Sequence, residues 1–176
     1  MKLLSWFILL SISGLSSSGM GLWPRPINLL VVPAHYSVLQ VSFDVISRRP
    51  IILVSYQISD DPNKPILHVW NSAKWQPLSF QDYGAARFLS LMPDQVFLVG
   101  KESEELNALK TALSWRPEVK KISALNTGAL INQLGVELDF GAKDWKWFAE
   151  RYQLDLKDEN REIREDSWYN HPFVGE

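Results

Sequence analysis

Cysteine is absent from the 176 residues and histidine is scarce, with three in all. The first absence excludes a disulfide, a thiolate nucleophile, a Cys-ligated zinc and a lipid anchor on cysteine. The second leaves little room for a His-rich metal site. An excess of one charge is missing too. Eighteen basic and 20 acidic groups give a formal net charge of −2, without the basic footprint of a nucleic-acid binder. What is present is an ordinary globular mixture, 46 % hydrophobic and 22 % charged, with eight Trp. The length suits one domain with a real core, with or without a tail.

No apolar run reaches the roughly 20 residues needed to span a bilayer. The N-terminus reads as a leader: Met1 and Lys2, the apolar run Leu3 to Ile12, then the small polar exit Ser13 to Gly19. A basic start, an apolar stretch of about 7–15 residues and small residues at the exit make a secretory signal peptide. Residues 1–21 are therefore expected to be removed, by cleavage after Gly19 or Gly21. Losing Lys2 leaves 17 basic against 20 acidic groups. An exported chain of this size that uses no disulfides is expected in a bacterial envelope, in the periplasm or at the cell surface. No transmembrane segment remains after cleavage.

The body, residues 22–136, alternates apolar runs with amphipathic ones. Ile27 to Val32, ending at Pro33, reads as a strand buried on both faces. Tyr36 to Arg49 reads as a helix stopped by Pro50, although its β-branched content lowers its propensity. Ile51 to Tyr56 is a second strand. Ile66 to Trp70 is a third, which can pair with Trp75 to Leu78 across a turn at Asn71 to Lys74. Phe80 to Leu91 looks helical. Gln95 to Gly100 is the clearest strand and Glu102 to Trp115 the clearest helix, with Ser103 able to cap it and Glu104 and Glu105 suited to its dipole. Lys120 to Leu125 and Thr127 to Leu134 follow as a strand and a short helix ending at Gly135. Strands alternating with helices predict an α/β fold, a three-layer αβα arrangement around a mostly parallel sheet.

Beyond residue 136 the character changes. Ala142 to Leu154 holds Trp145, Trp147, Phe148, Tyr152 and Leu154, an aromatic amphipathic helix, and a charged tail follows. Residues 137–176 carry 11 acidic and 6 basic groups, whereas 22–136 carry 9 and 11. The opposite signs allow the C-terminal part to dock on the body, although a solvated face is the simpler reading.

The sequence carries no complete catalytic or cofactor motif. Gly100-Lys101 follows a strand, but the phosphate-loop pattern G-x-x-x-x-G-K-[ST] fails, with Glu102 in the hydroxyl position. No nucleophile elbow, zinc helix or dinucleotide fingerprint is present. His35, His68 and His171 share no ligand spacing. Neither a cofactor nor a metal is expected. Two loops remain as candidates: Pro33 to Ser37, with His35, Tyr36 and Ser37, and Gly100 to Ser103, with Lys101 and Glu102. In open parallel sheets ligands bind outside the carboxyl ends of the strands, where both loops lie if strand order brings them together. Lys101 beside a helix N-terminus suits an anionic group. Plain connecting loops are the simpler reading.

The stretch Ile27 to Leu134, 108 of the 176 residues, resembles one unit of the cell-wall-binding repeat 2 family of bacterial surface-layer and wall-associated proteins. The likeness lies in a helix feeding directly into Arg49-Pro50-Ile51-Ile52-Leu53-Val54. It continues in Gln95 to Ser103, similar to the family's strand ending in glycine before a capped helix, and in Val119 to Leu125, similar to its next strand. The family's paired glycines are Gly100-Lys101 here. The resemblance implies an α/β unit that holds an anionic wall polymer without covalent bonds. Family members carry three consecutive repeats, and this chain has one. A lone unit implies self-association into a homo-oligomer, or a different partner.

Three functions follow as expectations. The first is a non-catalytic envelope protein that binds a cell-wall polymer or an envelope protein, with His35, Tyr36, Ser37, Gly100, Lys101, Glu102 and Ser103 at the ligand. The alternative is a small exported hydrolase or transferase, which requires His35, Tyr36, Lys101 and Glu102 to converge on one point. The third is an assembly subunit whose aromatic helix, through Trp145, Trp147 and Tyr152, inserts into a partner's groove.

Overall fold

The apolar, β-branched runs form the middle of a single sheet. The computed structural model describes residues 27–116 and 118–161; the expected leader and the tail beyond Arg161 lie outside them. β1 (Asn28–Pro33), β2 (Ile51–Gln57), β5 (Gln95–Val99) and β6 (Val119–Ile122) run parallel, and β3 (Ile66–Trp70) and β4 (Trp75–Leu78) extend β2 as an antiparallel meander. The order is β4-β3-β2-β1-β5-β6. β1 is thus central, with β2 and β5 on its two sides, and both of its faces are covered.

Period-two alternation sorts the core into two layers. Leu30, Val32, Leu53, Phe97 and Val99 face α1 (Tyr36–Ile46), α4 (Thr127–Glu137) and α5 (Ala142–Tyr152). Leu29, Val31, Val54, Val96 and Leu98 face α2 (Phe80–Gly84) and α3 (Glu104–Ala112). The α/β class and its three layers are therefore present. Each fully buried aliphatic side chain of this kind contributes about 1.5–3 kcal/mol.

Several element ends differ from their sequence signals, each for a local reason. α1 stops at Ile46 rather than Arg49, because the amides of Arg48 and Arg49 both turn back to the Val45 carbonyl at 3.0 Å. α2 is five residues long instead of running to Leu91; Ala86 at φ 55° sends the chain out of helical geometry. α3 begins after Ser103, whose hydroxyl accepts from the Leu106 amide at 3.2 Å. β6 closes at Ile122, and Asn126 caps α4 by accepting from the Ala129 amide at 2.8 Å.

α4 passes through Gly135 rather than ending there. The reason is tertiary: a Cβ at Gly135 would collide with the outer edge of the Trp145 indole. Glycine here lets α5 approach, so the residue that reads as a stop is a contact point. Phe140, Trp145 and Phe148 join the same buried cluster as α1 and α4, and the C-terminal helix thereby belongs to the body's core.

Candidate functional site

The carboxyl ends of the four parallel strands open into one cleft of about 320 Å³. Its place follows from topology. The chain leaves β1 toward β2 on one side and returns through β5 on the other, so the loops after β1 and β5 part at this point and leave a crevice. The Ala34 amide donates to the Tyr56 carbonyl, and the Gly100 amide to that of Ile122, both at 2.8 Å. These bonds tie the loop after β1 to β2, and the one after β5 to β6.

Gly100 is required where it stands. Its φ is +157°, and a Cβ there would run into the Tyr56 hydroxyl and Leu106. The Tyr56 hydroxyl donates to the Val99 carbonyl at 3.0 Å and forms part of the cleft floor. Burial, followed by the nearby Glu105 carboxylate, pushes its pKa up to about 12. It stays protonated and serves as a fixed donor rather than a base.

The two candidate loops meet here. His35 lines the cleft with Pro33 and Ala34 from one loop, and Gly100, Lys101 and Ser103 line it from the other. The Ser103 hydroxyl is already engaged as the α3 cap. His35 and Lys101 make no side-chain hydrogen bond or ion pair among the described residues. Tyr36, Ser37 and Glu102 are not in the lining. Tyr36 is 82 % exposed on the first turn of α1, and Glu102 forms an ion pair with Lys121 of β6. The four groups that a hydrolase or transferase would need therefore do not converge.

Tyr56, Gln57, Ile58, Glu105 and Leu125 also line the cleft and were not singled out from sequence. The signal was available. If ligands sit at the carboxyl ends of parallel strands, the ends of β2 and β6 count as much as those of β1 and β5. Ile58, 72 % exposed at the head of a polar loop, is an apolar residue placed where solvation alone gives it no reason to be.

The aromatic residues of α5 hold the chain to itself. Trp145 is 3 % exposed and packs edge-on to Phe140 at 5.5 Å. Trp147 lies under the Arg48 guanidinium, 4.7 Å from its ring centre. The Tyr152 hydroxyl donates to Asp44 of α1 at 2.7 Å. Burial and the Asp44 carboxylate both raise its pKa. Arg151 adds an ion pair to Asp44 at 3.1 Å.

Between these groups, Asp144 accepts from Arg48 at 2.8 and 2.9 Å and from Arg49 at 2.5 Å. Burial alone would raise the Asp144 pKa, but the Arg48 hydrogen bonds and the Arg49 charge outweigh it and hold it below the usual carboxylate range. Among the described residues no group of three or more His, Asp or Glu side chains could hold a metal, and no helix is long and apolar enough to cross a membrane. Comparison with known protein families, with characterised proteins and with solved structures finds no match.

Proposed function

We propose that this protein is an exported, non-catalytic component of a bacterial envelope that binds a cell-wall polymer through the strand-end cleft. The observation that carries the reading is the cleft's chemistry. Pro33, Ala34, Ile58 and Leu125 give it apolar walls, while His35 and Lys101 stand in it without partners among the described residues. Concave, mostly apolar surfaces with a few convergent polar groups are what binding sites look like. An amine left open at such a surface is available to an anionic group of a ligand.

Catalysis has less support. General acid–base work needs two groups in reach of one reacting atom, and Glu102 is instead occupied by Lys121. The resemblance of residues 27–134 to a wall-binding unit, and the leader-like N-terminus, support the envelope setting. A lone unit gains reach by self-association, so a homo-oligomer fits the same reading.

The test is retention on isolated, protein-free cell walls. The chain should sediment with the walls at low salt, and Lys101→Ala combined with Ile58→Asp should remove most of that retention. Charge contacts are strongest at low ionic strength, so failure to sediment there would end the proposal.

A further inference from the structure

We infer that the part of the polymer gripped by the cleft is a short peptide that presents one free carboxylate, one free ammonium (terminal or on a side chain) and an apolar side chain. Its carboxylate lies on Lys101, its ammonium on Glu105, and its side chain between Ile58 and Leu125. The inference rests on the wall-polymer reading above and names the chemistry that the site takes.

Three observations narrow the ligand. The first is charge. Lys101 and Glu105 both line the cleft, and neither is in an ion pair among the described residues. One free cation and one free anion on the same small surface complement a ligand that carries both signs. A polyanion needs a row of cations, and the nearby Lys121 is already held by Glu102.

The second is that no open Phe, Tyr or Trp face is among the described lining residues. Sugars are commonly held by stacking on such a face, but Tyr56, the one large aromatic ring in that lining, is buried in the floor with its hydroxyl tied to the Val99 carbonyl. The third is size and polarity. A volume of about 320 Å³ is at the lower end for small-ligand clefts, about 300–1,000 Å³, and suits two or three residues rather than a polymer strand. Ile58 projects at the rim with most of its surface in water, and covering it is favourable for any apolar side chain that fits beneath it.

The experiment is calorimetric titration of the full chain with leucyl-alanine, its N-acetyl and C-amide forms, and polyglycerol phosphate. Leucyl-alanine should bind at one site per chain. Amidation should weaken it about fivefold, the scale of one accessible ion pair, and should make no difference in Lys101→Met. Acetylation should weaken it similarly and make no difference in Glu105→Gln. Both variants alter surface side chains and should keep the thermal unfolding of the wild type.

Blocked dipeptides that bind as well as the free one, or no dipeptide binding at all, would overturn the inference. If polyglycerol phosphate then binds and Lys101→Met weakens it, the wall-polymer reading survives without the peptide. If neither binds and the chain does not sediment with walls, both fall.

Discussion

At the seam between α1 and α5, acids and bases find each other within the chain: Asp144 takes both Arg48 and Arg49, and Asp44 takes Arg151 and Tyr152. At the strand-end cleft, Lys101 and His35 have no side-chain partner among the described residues. Both regions join segments far apart in the chain, and both contain exposed or half-exposed charge. The difference is where the partner lies. Satisfied charges orient a helix and fix a fold, whereas unsatisfied ones on a concave apolar surface are available to something outside the molecule. The seam is therefore the structural device and the cleft the proposed binding site, although the seam holds the more conspicuous aromatic residues.

Substitutions separate the two roles, the largest effects falling on the seam. Trp145→Ala removes a buried indole and should cost about 3–5 kcal/mol of unfolding free energy, read by chemical denaturation. Asp144→Ala leaves two half-buried guanidinium groups without their carboxylate. Discounted for their partial exposure, the loss is about 2–3 kcal/mol. Gly135→Ala overpacks the same contact from the other side and should cost about 1–3 kcal/mol. Lys101→Ala should change stability by no more than about 0.5 kcal/mol while reducing retention on cell walls. If Lys101→Ala unfolds the protein, or Asp144→Ala leaves stability untouched, the contrast between the regions fails.

Acid sharpens the same contrast. The folded-state pKa of Asp144 is depressed, so its contribution is complete above the unfolded carboxyl value of about 3.9. It is lost as pH falls through the lower folded value. Stability measured down that range should fall more steeply in the wild type than in Asp144→Asn, and parallel curves would contradict the assignment.

Much of the fold was legible in the sequence because its signals are local. Leu29 to Val32 and Val96 to Val99 are continuous apolar runs, and such runs suit strands covered on both sides. Ser103 and Asn126 lie next to the helices they cap. What was hidden depends on distant partners. Gly135 reads as a helix stop until Trp145 is placed against it. Arg48 and Arg49 read as the charged end of a helix until Asp144, about a hundred residues later, turns them into a clamp. For the site, chain proximity drew Glu102 in with Lys101, whereas strand order gave Glu102 to Lys121 and brought in Ile58 and Leu125 instead. Which loops are neighbours depends on sheet order, and no spacing within one loop encodes it.

The central claim is that the strand-end cleft, and not the aromatic helix, is the surface that meets the envelope. Backbone amide hydrogen exchange, with and without soluble cell-wall fragments, tests it most directly. Slowed exchange is expected at Ala34 to Ser37, Gln57 and Ile58, and Gly100 to Leu106, with α5 unchanged. Protection confined to α5, or no protection in the cleft loops at saturating fragment, would contradict it.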